Sequence, residues 1–245
     1  MQKTSNPMIN RDFAFDEDMA SIEPMTKSGV VNKTSLLLLI TVLSAYGVWD
    51  LLARGFSDKA YMLMIVGLIA GFILCLFTIF KPKYSPITSP VYAICEGLFV
   101  GAISFSYGAM FDGIVQNAVG ITFVTLFAML FLYKTGLIVA TENFKRVVFT
   151  ATLGIAIFYL ISLVLSLFGH PLMIFNGGLM GIGISLFMCV IAALNFIMDF
   201  DVIDNLASYG APKYFEWYCG FSLLVTLIWL YLEVLRLLAQ LNSRR

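Results

Sequence analysis

Charge is scarce in this chain. Only 12% of its 245 residues are Asp, Glu, Lys or Arg, about half the share of a soluble domain. Hydrophobic residues make up 60%, so a water-soluble globule fails at composition. The formal net charge is zero, and a basic surface for nucleic acid is not expected. There is one histidine and there are four cysteines. Cys75, Cys95, Cys189 and Cys219 all fall in apolar runs. Without a CxxC or a Cys/His cluster, neither a disulfide framework nor a zinc site is indicated. His170, beside Pro171, reads as a loop residue. The HExxH, GxSxG and Gly-rich phosphate patterns are missing. An enzyme and a resident cofactor are therefore not expected. Barrel-strand alternation is missing too.

What the chain has instead is long apolar runs. Seven approach the roughly 20 residues that a helix needs to cross a bilayer. They are Val30–Leu52, Tyr61–Phe80, Ser89–Met110, Gly113–Tyr133, Val147–Phe168, Met173–Met198 and Trp217–Leu241. Lipid offers no hydrogen bonds to bare backbone, so these runs must be helices. The expected fold is an all-α integral membrane bundle of seven transmembrane helices over residues 30–245. Residues 1–29, with "RDFAFDEDMASIEP", are polar and aperiodic and read as a flexible tail. The tail lacks a signal peptide's basic start and short apolar core. Phe13 and Phe15 are its candidate docking groups, against a simpler solvated tail.

Orientation follows Lys and Arg. With a cytoplasmic N-terminus, the inside segments hold Lys3, Arg11, Lys27, Lys33, Lys81, Lys83, Lys134, Lys145, Arg146 and Lys213. The outside holds Arg54, Lys59, Arg236, Arg244 and Arg245. The C-terminal group is the misfit, and it would vanish if the last segment did not cross fully. Small residues four apart suggest close helix contacts at Gly67/Gly71, Gly97/Gly101 and Gly177/Gly181.

Charged groups inside spans are the candidate functional residues. Glu96 lies about seven residues into the third span, roughly 10 Å deep. A buried structural carboxylate is an equally open account of it. Glu233 sits in the last span with Arg236 three residues on, on the same face. That spacing fits a local ion pair, with a further polar partner expected from another helix.

The stretch "NFIMDFDVID" crowds Asp199, Asp201 and Asp204 behind an apolar run. On a continuing helix, Asp201 and Asp204 are about 60° apart while Asp199 points away from both. Gly210 and Pro212 mark a turn, and Glu216 then falls near a helix N-terminus, where the dipole favours an acid. If the helix runs on to that turn, the aspartates lie inside the bundle. Two carboxylates close together in a low dielectric titrate as a unit and offer oxygen ligands to a divalent cation. Asp199, Asp201 and Glu233 are the candidate transient ligands of such a cation. No resident metal site is expected.

Several stretches resemble the Bax inhibitor-1 family, in its bacterial YccA-like branch. These are "SPVYAICEGLFVGAISFSY", "DGIVQNAVGITFVTLFAMLFLYKTGLI" and "APKYFEWYCGFSLLVTLIWLYLEVLRLLAQL". The likeness covers Lys81 to Leu241. It implies six helices around a central C-terminal one, and a pH-sensitive calcium leak of the bacterial inner membrane. In the family, two acids on the last two helices control the leak. The sixth-helix acid maps onto Asp199 in "MDFDVI", with Asp201 beside it, and the seventh-helix acid onto Glu233 in "LYLEVL". The acid-glycine pair maps onto Glu96 and Gly97. Glutamate replaces the family's aspartate in the last helix, and the separation of the two acids is longer. Glu216 is then a substitute partner and Arg236 the nearest basic latch. The alternative is a non-conducting regulator that binds a membrane protease or a stress-response protein. A third reading, an exchanger, lacks the internal repeat that many transporters show.

Overall fold

The computed structural model describes residues 23–169 and 178–243. Within them the chain forms seven long helices: α1 (Lys27–Ala53), α2 (Ser57–Phe80), α3 (Ser85–Met110), α4 (Ile114–Lys134), α5 (Glu142–Leu167), α6 (Leu179–Ser208) and α7 (Phe215–Asn242). A short 3-10 turn, Pro82–Tyr84, leads into α3. All seven are long and apolar enough to cross a membrane. Thr26 caps α1 by accepting from the Gly29 amide, and Thr141 caps α5 by accepting from Phe144. Each satisfies an amide that the first helical turn leaves without a partner.

Most helix ends fall within a few residues of the apolar runs. The exception is α6, which continues ten residues past Met198 to Ser208. All three aspartates are therefore helical. The backbone stays satisfied by continuing, and each aspartate finds a partner on a neighbouring helix. The chain turns only at Gly210, whose φ of 67° lies in the left-handed region that glycine tolerates. His170, Gly177 and the expected start of α6 near Met173 lie outside the described residues.

The expected boundary at residue 30 needs correction. Residues 23–26 are part of the folded body, strapped across the α6–α7 turn. Pro24 makes an antiparallel bridge with Pro212. The Met25 amide donates to the Ala211 carbonyl at 2.7 Å and the Lys213 amide to the Glu23 carbonyl at 3.0 Å. Met25 is buried beneath the strap, and Lys213 pairs with Glu23 outside. The strap holds because it satisfies backbone groups on both segments and buries an apolar side chain. Phe13 and Phe15 lie outside the described residues.

Helix α7 is the most enclosed of the seven. Helices α1, α3, α4 and α6 pack directly on it. Helix α2 packs instead on α3 and α1, and α5 packs on α6, reaching α7 through Tyr159. The expected ring of six is thus uneven, with α2 in a second layer. Glycine sets that layering. A Cβ at Gly97 or Gly101 would run into the Thr41 or Ala45 backbone of α1, and one at Gly67 would strike the Cys95 carbonyl of α3. The outward faces are apolar, as at Leu43 on α1, Phe72 on α2 and Leu160 on α5, the surface that lipid requires.

Cross-links place the ends. Ser85 donates to the Tyr214 carbonyl at 2.9 Å, and Tyr133 and Lys145 reach α6 near its C-terminus. The starts of α1, α3, α5 and α7 therefore share one end with the finishes of α2, α4 and α6. That end carries Lys27, Lys33, Lys81, Lys83, Lys134, Lys145, Arg146 and Lys213. Helix α7 is 28 residues long, about 42 Å at 1.5 Å per residue. That is long enough to cross a bilayer, and Asn242 lies at the end of the bundle opposite Lys27.

Candidate functional site

Asp199 reaches from α6 to α7. Its Oδ1 accepts from Ser222 Oγ and its Oδ2 from Thr226 Oγ1, both at 2.6 Å. Ser222 and Thr226 are one turn apart, so a single carboxylate is bracketed from one helix face. The distances are those of hydroxyls donating to a charged acceptor. Asp199 itself is half-buried.

The other two aspartates of α6 serve its end. Asp201 Oδ2 meets Lys145 Nζ of α5 at 2.7 Å and accepts from Asn205 at 3.0 Å. Asp204 meets Lys27 of α1 at 2.7 Å and accepts from Tyr133 of α4 at 3.1 Å. The expected common face of Asp201 and Asp204 is therefore divided between neighbours. Asp201 points about 200° from Asp199 on the helix, so the two do not face one partner.

Glu216 is buried, and its Oε1 accepts from the Thr26 amide and hydroxyl, both at 3.0 Å. It ties α7 to the start of α1, and the expectation that it substitutes as partner for Asp199 is corrected. Beside it, Lys33 lies over the Trp217 ring at 4.8 Å.

Glu233 is almost wholly buried, with 2% of its side chain exposed. Tyr159 of α5 donates to its Oε1 in a short hydrogen bond. Trp229 Nε1 donates to the same oxygen at 3.1 Å. Arg236 Nη1 meets Oε2 at 3.2 Å and also donates to Tyr159 Oη at 2.5 Å. The expected local ion pair is present, and Tyr159 is the partner from another helix. Arg236 accordingly serves Glu233 rather than Asp199.

Asp199 and Glu233 do not meet. Seven residues separate Thr226 from Glu233, about 10 Å along α7. The expected direct carboxylate contact is corrected to two separate sites, each held by its own donors. Among the described residues no group of three His, Cys, Asp or Glu side chains comes together, so Asp199, Asp201 and Glu233 do not form one calcium cage. Glu96 lies elsewhere, half-buried between α3 and α2. Its Oε2 sits 3.5 Å from where a Cβ on Gly71 would stand.

The residues that organise the site are ones that a search for acids passes over. Ser222, Thr226, Trp229, Glu233, Arg236 and Gln240 follow one another at steps of four and three along α7. At 100° per residue they share an arc of about 80°. Helix α6 answers them at both ends. Asp199 takes Thr226, and Ser185 Oγ donates to Gln240 Oε1 at 3.1 Å. The two α6 residues and the two α7 residues are each fourteen apart, so the antiparallel register holds throughout. Between them, Asn195 donates to Thr152 Oγ1 of α5 at 2.8 Å. The polar spacing was visible in the sequence, but hydroxyl and indole groups carry no charge to flag them.

A family model described as Bax inhibitor 1 like matches residues 6–243. No curated protein matches the chain.

Proposed function

The chain belongs to the Bax inhibitor 1 like family, and from that premise we propose that it is a pH-sensitive, calcium-permeable leak rather than an enzyme. Its membrane is the bacterial cytoplasmic one, with the N-terminus inside. The lysine-rich end supports that orientation. One observation carries the gating: Asp199 of α6 accepts hydrogen bonds from two α7 hydroxyls. A charged acceptor holds such donors about twice as strongly as a neutral one. Protonating Asp199 therefore weakens the link between α6 and α7. As the helices part, Asp199, Ser222 and Thr226 turn their oxygens to a calcium ion, which takes oxygen ligands in a flexible shell. Glu233, two turns further along, is the second acid on the path.

Calcium flux into liposomes tests this. Flux through the native chain should rise from pH 8 to pH 6. Asp199→Asn should be leaky and flat over the same range, because the amide mimics the uncharged acid. A native flux that ignores pH, or an Asp199→Asn variant with the native pH profile, would sink the gating proposal.

A further inference from the structure

We propose that residues 24–27 form a clip across the α6–α7 turn, with Glu216 as its catch, and that the clip restrains the parting of α6 and α7 on which gating depends. It rests on the leak proposed above only for its link to flux.

Two neighbouring residues of the clip hold different helices. Thr26 gives its amide and its hydroxyl to Glu216 of α7, both at 3.0 Å. Lys27 reaches Asp204 of α6 at 2.7 Å. Just before them, the Met25 amide donates to the Ala211 carbonyl beyond the end of α6, and Met25 is buried. The clip is stiff because Thr26 also caps α1, accepting from the Gly29 amide at 2.9 Å. Its grip is unequal. Lys27 and Asp204 are exposed to water, and such a pair contributes little. Glu216 is only 4% exposed, and hydrogen bonds to a carboxylate are the strong ones. Moving α7 away from the clip strips a buried carboxylate of its donors, which is costly.

The clip sits close to Asp199. Along α6, Asp204 is five residues from Asp199, about 8 Å, and along α7, Glu216 is six residues from Ser222, about 9 Å. Helices α6 and α7 are therefore tied twice within two turns, once through Asp199 and once through the clip. A proton on Asp199 loosens only the first tie. Gly29 makes the second one possible, because a Cβ there would overlap the Glu216 carboxyl.

Gly29→Ala tests the clip without weakening α1, since alanine is the better helix former. The added methyl displaces the Glu216 carboxyl from Thr26. The readout is alkylation by N-ethylmaleimide at pH 8, on the full chain in liposomes. One chain keeps only Cys219, which is buried on α7 about 20° from Thr226, on the face that meets Asp199. A second keeps only Cys189, buried on α6 ten residues from Asp199. The other three cysteines are alanine in each. Gly29→Ala should speed labelling of Cys219 about tenfold and leave Cys189 at its native rate. Thr26→Ser, which keeps both donors, should label like the native chain. A native rate at Cys219 in Gly29→Ala overturns the clip, as does an equal rise at both cysteines, the mark of a loosened bundle. Calcium flux at pH 8 should rise with Cys219 labelling. Faster labelling with flux unchanged from a conducting native chain overturns the restraint on gating. Faster labelling with no calcium flux at any pH in either chain keeps the clip across α6 and α7 and sinks the leak.

Discussion

The two sides of the bundle are joined by opposite means. Helices α1, α2 and α3 meet through glycine, with Gly97 and Gly101 against the α1 backbone and Gly67 against α3. Two polar stitches are added: the Ser44 hydroxyl donates to the Ile94 carbonyl at 2.8 Å, and Thr78 of α2 donates to Thr88 of α3 at 2.8 Å. Helices α5, α6 and α7 meet through side chains that carry charge and hydroxyls: Asp199, Tyr159, Glu233 and Arg236. A glycine seam gains dispersion contact that depends on separation. It has one good distance, with Glu96 of α3 facing Gly71 of α2 at its edge. A polar interface can exchange partners and respond to a proton. The first side is held by close backbone approach, the second by side-chain hydrogen bonds and an ion pair.

That contrast can be broken most forcefully on the glycine side. Gly101→Leu places a side chain against the Ala45 backbone and should cost about 3 kcal/mol or more, measured by denaturant titration in mixed micelles. A loss below about 1 kcal/mol would show that the seam is loose. On the polar side, Asp199→Ala leaves Ser222 and Thr226 without their acceptor and should cost about 1–3 kcal/mol. It should change pH-dependent flux far more than it changes folding. Tyr159→Phe removes one hydroxyl from the Glu233 cluster. A destabilisation of about 1–2 kcal/mol is expected, read by the same denaturant titration.

The smallest effect belongs to the strap. Hydrogen bonding to Lys213 holds the Glu23 carboxyl below its ordinary value of 4.5, and Glu23 raises Lys213 above 10.5. A lowered acid contributes its hold above its ordinary value and loses it as pH falls through the lowered one. A raised lysine contributes below its ordinary value and loses it as pH climbs through the raised one. The pair is therefore fully engaged between pH 4.5 and 10.5. Glu23→Gln should leave global unfolding unchanged and speed hydrogen exchange at the Met25 and Lys213 amides. An unchanged exchange rate would show that the backbone bridge alone holds the strap.

Seven helices were legible from apolar run length, because lipid permits little else. The turn at Gly210 and Pro212 was legible from residue type. Asp199 and Asp201 both stood out by their place after an apolar run, and the family resemblance mapped the sixth-helix acid onto Asp199. What escaped was pairing. Whether Asp201 meets Asp199 or Lys145 depends on the rotation of α6 and the position of α5, which no local pattern encodes. Glu216 looked free because its partner, Thr26, lies 190 residues away. Ser222 and Thr226 carry no charge to mark them, and only the facing aspartate gives them a role.

The matched fourteen-residue interval on α6 and α7 works like a two-pin plug. Adding one residue to either helix between its pins turns the far pin by about 100° and shifts it 1.5 Å. Both ends then cannot seat at once. These two helices are thus locked to a common length, and deletions or insertions should survive in the loops around them but not between Ser185 and Asp199 or between Thr226 and Gln240.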